Sequence, residues 1–501
     1  MSGGPDPAEL AAVLATRASE PVLAVPGGGA SLDLLDALQD LDREVRTVHH
    51  EATAAIAAGV AHRLYGRGPG VAVGIKGPGL ANLVPGLGLA TLEGRPVLAV
   101  VEAHPPGSTA VHKRMDHAAL ASGVAKGIGA AADADAVAAG VDLALAERPG
   151  AVVLELAPGA APQPTRTAPA ATGPGPVRPA GPDAAALAAA RRPVVVAGTA
   201  ALRAGWGEAL AAASVPVATS AAAKGLVDER RPPAAGVVTG AGGPRSPEAA
   251  LLAEADLVVA VGLDPRELLA PLDGPPVVAV DPHATPAAEV LGALRTDGWD
   301  LDVVHGRVTA LRDALVAAHP FLPAAVLATV ADHLPESRLV VDTGDHCTVA
   351  EHVWLAGHRT AFLGAGASRW MGTGLPTALG AAMYDRALVT VAAVGDGGIG
   401  GTFGELTLAV EAELPLLVLV LDDGGFASIR GRAVARGHRT APLEHPPRGW
   451  ARAAEALGLD AVEVTTTAAL ADAVDAWRGH PLLVHCRHDP AAYLAMTEGL
   501  R

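Results

Sequence analysis

Residues 394–426 read VGDGGIGGTFGELTLAVEAELPLLVLVLDDGGF. Gly395, Asp396, Gly397 and Gly398 open this stretch, and Asp422, Asp423, Gly424 and Gly425 close it. Glycines let a backbone turn tightly and approach a ligand at the carboxyl end of a parallel strand. Between the two turns lie a segment with helical spacing, FGELTLAVEAEL, and then an apolar run, LLVLVL. Parallel strands joined by a helix put their carboxyl ends side by side. Asp396 and Asp423 are therefore expected to face one crevice. Two hard oxygen ligands beside glycine-rich turns suit Mg²⁺ carrying a phosphate or diphosphate.

The elements that must position these turns are legible along the chain. Short β-branched runs alternate with Ala- and Leu-rich helical stretches, the pattern of α/β domains with parallel sheets. PVLAV (21–25), GVAVGI (70–75), RPVLAVV (95–101) and GAVVLEL (150–156) are the first strand set. RPVVVAG (192–198), VPVATS (215–220), ADLVVAVG (255–262) and PPVVAVDP (275–282) are the second. RLVVDTG (338–344), ALVTVAAVGDG (387–397), PLLVLVLDD (415–423) and HPLLVHC (480–486) are the third. Residues 157–182 are rich in Pro and Ala and read as a linker, and AHPFLPAA (318–325) marks a second break. The expected architecture is three doubly wound parallel-sheet domains: 1–160, then a linker at 161–182, 183–318, and 319–501. The Ala-rich DAAALAAA (183–190) reads as helix rather than as low complexity.

Bulk properties narrow the function. The chain has 501 residues and a net charge of −16. That charge argues against a nucleic-acid or membrane-surface partner. Aromatics are only 3% of the residues, so the cores must be built from Ala, Val and Leu. Cys347 and Cys486 are the only cysteines, which make no disulfide framework. With no signal-like start and no long apolar run, the expected location is cytoplasmic. PGGGASL lacks the GxGxxG pattern of an NAD-binding turn.

The Gly-Asp-Gly turn, the Glu-Leu nine residues on, the Leu-Pro before the next strand and the polar pair after it together resemble the thiamine diphosphate (ThDP) fingerprint. That fingerprint marks the acetolactate synthase, pyruvate decarboxylase and benzoylformate decarboxylase superfamily. The resemblance implies that Asp396, Asp423 and the Gly425 carbonyl hold Mg²⁺, with Asp423 replacing the usual Asn. GASRWMGTGLPTALGAAM (366–383) is similar to the stretch before that turn, which makes Met371 the apolar prop beneath the cofactor rings. TVHHEATAAIAAGVAHR (47–63) resembles the pyrimidine-binding domain, which puts Glu51 at the cofactor-activating position. The chemistry needs such a group. A carboxylic acid bonded to the pyrimidine N1′ favours the tautomer whose 4′ nitrogen removes the thiazolium C2 proton.

IKGPGLANLVPGL (75–87) matches the family loop beside the pyrimidine, with Gly77, Pro78 and Gly79 as its turn and Lys76 where a serine is common. By the same alignment, Lys113 takes the place of a substrate-facing Gln and His112 that of an aromatic. Lys76, His104, His112 and Lys113 suggest a basic pocket for a 2-oxo acid with a second anionic group. The loop 425–429 offers no acid where pyruvate decarboxylases carry one, so a proton donor is expected at His112 or His346. The resemblance implies an enzyme, lyase or transferase, using ThDP and Mg²⁺ without FAD and assembled as a homodimer or homotetramer. It decarboxylates a 2-oxo acid and joins the product to a second carbonyl, as acetolactate synthase does. The alternatives are a simple decarboxylase that releases an aldehyde and a non-catalytic ThDP-binding homologue.

Overall fold

A computed structural model of the chain describes residues 6–157, 166–167, 183–364 and 366–501. Apart from Arg166 and Thr167, the expected linker at 161–182 lies outside the described residues. Three sheets carry the fold. The first comprises β1 (Val22–Ala24), β2 (Val45–Thr47), β3 (Gly70–Gly74), β4 (Val97–Glu102), β5 (Gly127–Ala130), β6 (Ala151–Leu156) and β7 (Arg166–Thr167), in the order β2-β1-β3-β4-β6-β5-β7. Its ladders are parallel except at one edge, where β7 runs antiparallel to β5.

The second sheet, β8 (Pro193–Ala197), β9 (Val217–Thr219), β10 (Ala234–Val237), β11 (Leu257–Val261) and β12 (Val277–Val280), is ordered β10-β9-β8-β11-β12 and is parallel. The third contains β13 (Arg338–Val341), β14 (Phe362–Leu363), β15 (Thr390–Gly395), β16 (Leu416–Asp422), β17 (Asp460–Val464) and β18 (Leu482–Arg487). Its order is β14-β13-β15-β16-β18-β17, again with parallel pairing. The chain is thus three parallel-sheet α/β domains.

The central strands are continuous apolar runs because helices cover both faces of a parallel sheet. Every residue of β16 is buried, from Leu416 to Asp422. Few aromatics are available, so helices meet the sheets through Val, Leu and Ala. Each fully buried Val or Leu contributes about 1.5–3 kcal/mol relative to exposure. The helix Ala184–Ala189 forms as its composition suggests, and Asp183 caps it by accepting from the Ala185 and Ala186 amides. Cys347 and Cys486 are both buried free thiols.

The described residues form two compact units. One holds the first sheet together with Leu375–Leu388 and Thr402–Leu416. Within it the Tyr384 hydroxyl donates to the Pro21 carbonyl at 2.9 Å. The other holds the second and third sheets. Inside that unit, buried Lys224 pairs with buried Glu229, which also accepts from the Ala356 amide at 2.8 Å. Among the described residues, no helix is long and apolar enough to cross a membrane.

Candidate active site

The first unit places Glu51 at the start of the helix Glu51–Ala58, at the carboxyl ends of β1 and β3. The side chain is only 5% exposed. Its Oε2 accepts from Asn82 Nδ2 at 2.9 Å. Asn82 belongs to the helix Pro78–Glu93, whose first residue is the proline of the Gly-Pro-Gly turn. Proline suits that first position, where no amide bond is lost. A side chain on Gly79 would begin 3.5 Å from Glu51 Oε1, so the glycine leaves the backbone open beside the carboxylate.

Gly77 must be glycine. Its φ is +67°, and a Cβ there would lie 2.0 Å from the Lys113 carbonyl oxygen. Its amide donates to His117 Nε2 at 2.9 Å, while His117 Nδ1 is 2.8 Å from Glu155 Oε1. Because Nε2 accepts, Nδ1 carries the proton and donates to Glu155. A buried histidine thus fixes the turn from behind. A second tether holds the approach to Glu51: Glu405 Oε2 accepts from the His49 amide at 3.1 Å and sits 3.3 Å from its ring nitrogen.

The expected basic pocket is not assembled as a set of four cations. Lys76 Nζ lies 3.2 Å from Glu102 Oε2. The Ser31 hydroxyl donates to Glu102 Oε1 at 2.6 Å. Burial alone would raise Glu102, but Ser31 and Lys76 outweigh it and hold the carboxyl below its usual range. Lys76 is therefore committed to an internal carboxylate. His112 and Lys113 extend from an exposed loop, and Lys113 has a left-handed backbone with φ +56°. His104 is partly buried, with no hydrogen-bond partner on Nε2.

In the second unit, β15 and β16 are neighbours, so the two acidic turns emerge side by side. Asp396 opens a short helix, Asp396–Ile399, with Gly395 as its cap. It is buried and pushed up to about 7 by burial and by the Asp422 and Asp423 carboxylates. The two members of the Asp-Asp pair differ. Asp422 accepts from the Gly424 amide at 2.9 Å and contacts His485 Nε2 at 2.7 Å. Asp423 is open: its buried Oδ1 has no hydrogen-bond partner. Burial pushes it up to about 6 against the pull of Arg430, and Asp422 and Asp345 add to the rise. Gly425 packs so closely on the next segment that a Cβ would lie 2.2 Å from the Leu443 carbonyl oxygen.

These residues fit a divalent cation. Both carboxyls are buried and raised, Asp396 in part by Asp423, and Asp423 presents an unpartnered oxygen. Among the described residues no three His, Cys, Asp or Glu side chains converge to make a protein-only metal cage. Two carboxylates and a carbonyl leave positions for a ligand's oxygens, as Mg²⁺ on a diphosphate requires.

Asp342, at the end of β13, was not read as a site residue from the sequence. Its Oδ1 accepts from the Gly372, Thr373 and Gly374 amides at 3.1, 3.2 and 3.2 Å, and Oδ2 also accepts from Gly372 at 2.9 Å. Burial raises this carboxyl to about 6 despite those amides. A Cβ on Gly398 would lie 2.2 Å from Asp342 Oδ2, so one carboxylate touches both the metal turn and the loop bearing Met371. Met371 itself is 51% exposed. A core-packing methionine would be covered, so an exposed one on a tethered loop suits contact with a ligand. Asp342→Asn turns one acceptor into a donor facing the Gly372 amide. It is expected to cost about 1–3 kcal/mol of stability, measured by urea unfolding.

His346 lies on the helix Asp345–Val353 with its Cε1 3.3 Å from where a Cβ on Gly395 would stand. Its Nε2 is buried without a partner. Burial and neighbouring His488 lower it to about 4, so it is neutral near pH 7. Asn82, His117 and Asp342 gave no sequence-level signal beyond lying in or beside glycine turns.

Comparison with known proteins decides the family. Residues 8–120 match the thiamine pyrophosphate enzyme N-terminal TPP binding domain, 183–288 the central domain and 342–486 the C-terminal TPP binding domain. The chain belongs to the thiamine pyrophosphate enzyme family. It is 35% identical over 284 residues to a protein named probable 2-ketoarginine decarboxylase AruI from Pseudomonas aeruginosa, covering 49% of this chain and 48% of that relative. It is 27% identical over 168 residues to the putative thiamine pyrophosphate-containing protein YdaP of Bacillus subtilis, covering 32% of this chain and 28% of the relative. The matched stretches thus span about half or less of these two relatives.

Proposed function

We propose that this chain is a ThDP- and Mg²⁺-dependent enzyme that decarboxylates a 2-oxo acid. The observation that carries the reading is the pair of buried carboxylates, Asp396 and Asp423, at adjacent strand ends of a chain whose three domains match the ThDP family. Asp396, Asp423 and the Gly425 carbonyl would hold Mg²⁺ and through it the diphosphate. Met371 would support the rings, and Gly77, Pro78 and Gly79 would leave room for the pyrimidine. Glu51 would hold the proton at N1′. Bound there, ThDP supplies the electron sink for loss of CO₂. The 2-ketoarginine named for the Pseudomonas relative belongs among the first substrates to try.

A second reading, joining of the decarboxylated fragment to a second carbonyl, is favoured by the shortage of acids. Ala427, Ser428 and Ile429 offer none, and His346 is uncharged near pH 7, which makes it a weak proton donor. With protonation slowed, a second carbonyl becomes the competing electrophile. Assay of the purified protein with Mg²⁺ and ThDP over pyruvate, 2-ketoarginine and a dicarboxylic 2-oxo acid tests both readings. CO₂ release with aldehyde supports the first, and CO₂ release with a hydroxy-ketone supports the second. Failure to bind ThDP or to release CO₂ from any of them overturns the enzyme reading in favour of the non-catalytic homologue.

Recognition of a second anionic group now rests on Lys113 and His112, since Lys76 is paired. Lys113→Gln is expected to raise KM for a dicarboxylic 2-oxo acid about tenfold or more while leaving that for pyruvate within about twofold, in line with a lost charge-assisted contact. Equal changes would show that Lys113 reads no second charge.

The proposed cofactor set holds no FAD; beside the second sheet, internal carboxylates take up strand-end amides. Glu267 accepts from the Thr199 amide at 3.1 Å, and Glu248 accepts from the Thr239 and Gly240 amides at 2.9 and 2.6 Å. Such strand-end amides are where a dinucleotide phosphate would dock. Self-association as a homodimer or homotetramer is supported by exposed apolar residues beside the site loops: Val111, Met115, Met371 and Ile429. The domain limits proposed from the sequence, 1–160, 183–318 and 319–501, each contain one matched family segment.

A further inference from the structure

Asp423 adds a negative charge beside Asp422 in its own turn and Asp396 in the neighbouring one. The structure gives that charge a counterpart. Arg430 Nη2 lies 3.9 Å from Asp423 Oδ1, with the two side chains 12% and 7% exposed. Neither atom has a hydrogen-bond partner. Arg430 stands in the first turn of the helix Ala427–Ala435, its amide donating to the Phe426 carbonyl at 2.8 Å. A cation there faces the positive end of the helix dipole, so the helix itself gains nothing from it.

The spacing has a further meaning. An N–H···O hydrogen bond closes at about 2.7–3.2 Å. A pair held beyond that reach still attracts through space, but it leaves the carboxylate oxygen open to another partner. Asp422 and Asp345 add to the charge around Asp423, and Arg430 is the cation that acts on it. Asp422 is committed to His485, Arg432 and Arg501 act on Asp345, and Arg448 acts on Asp396.

We propose that Arg430 is a positioning residue that offsets the charge of Asp423 and lets an aspartate serve, where the family carries an amide, as ligand to the divalent cation of the diphosphate. The inference rests on the ThDP reading and adds to it a two-residue unit, Asp423 with Arg430. Two changes made together, rather than Asp423 alone, would exchange the amide for the acid without loss of metal affinity.

A double-mutant cycle tests this. Wild type, Asp423→Asn, Arg430→Gln and the double variant are titrated calorimetrically with ThDP at fixed Mg²⁺, and each is melted without cofactor. Arg430→Gln is expected to weaken ThDP binding about tenfold in the wild-type background and less than about threefold in the Asp423→Asn background, the coupling expected of interacting neighbours. Asp423→Asn alone should bind as tightly as wild type or tighter. Without cofactor, Arg430→Gln should lower Tm more when Asp423 is present. Arg430→Lys, which keeps the charge, covers the case of a poorly folded glutamine variant and should bind within about threefold of wild type. Equal losses in both backgrounds, or failure of the lysine variant to bind, overturn the proposal alone. A wild-type protein that binds no ThDP overturns the functional reading, and the proposal with it.

Discussion

Asp396→Ala abolishes retention of Mg²⁺ and ThDP. The substitution removes one of the two buried carboxylates proposed as metal ligands and leaves Asp423 to hold a divalent ion with a single charged side chain and a carbonyl. Even partners outside the coordination shell alter metal affinity by about 10–100-fold, so loss of a ligand should exceed that range. Unfolding is separable from loss of the site. Without metal, burial and two neighbouring carboxylates push Asp396 up to about 7, so its charged form opposes folding. A raised carboxyl contributes stability below its unfolded value and loses it as pH rises through about 7. At pH 8 the cofactor-free variant should therefore melt no lower than wild type. Calorimetric titration together with melting curves decides it, and a variant that still binds ThDP within tenfold would remove Asp396 from the metal site.

Glu51→Gln leaves ThDP bound but slows turnover by roughly 10²-fold or more, the usual scale of a lost acid–base group. The geometry makes the change clean. Glutamine keeps the length of the side chain, and its carbonyl oxygen can still accept from Asn82 Nδ2, which now bonds Glu51 at 2.9 Å. What it loses is the ability to hold a transferable proton at N1′. Binding should stay within a few-fold of wild type, while exchange of the cofactor's C2 proton, followed by NMR in D₂O, should slow in step with turnover. Normal exchange with normal turnover would reduce Glu51 to an acid favoured by the positive end of a helix.

The sequence carried the architecture because strands buried on both faces are written as unbroken apolar runs. LLVLVL is such a run, and it became the centre of the third sheet. The strands it concealed are short or lie at edges. Val45–Thr47 is half-exposed with a central arginine, and Asp460–Val464 is largely solvent-facing with an acid at its start. Neither has the composition of a buried strand, and both gain their ladder from a neighbour already in place. The acidic turns were legible for a different reason: βαβ geometry constrains where consecutive strand ends lie. Pairing across longer distances was not. Nothing near Lys76 announces Glu102, which reaches it from the end of β4, so four basic residues read as a pocket although one of them is neutralised. The use of Asp342 was hidden similarly, because its partners are backbone amides with no letter in the sequence.

That last arrangement bears on how the protein could be re-engineered. The loop carrying Met371 is held by main-chain donors on a carboxylate, while the Met371 side chain itself stays half-exposed. The residue at 371 can thus change without altering the path of the chain around it. A library diversified at 371 should yield mostly folded proteins with altered cavity shape. One diversified at Asp342 or Gly398, where a Cβ would meet that carboxylate at 2.2 Å, should yield mostly inactive ones.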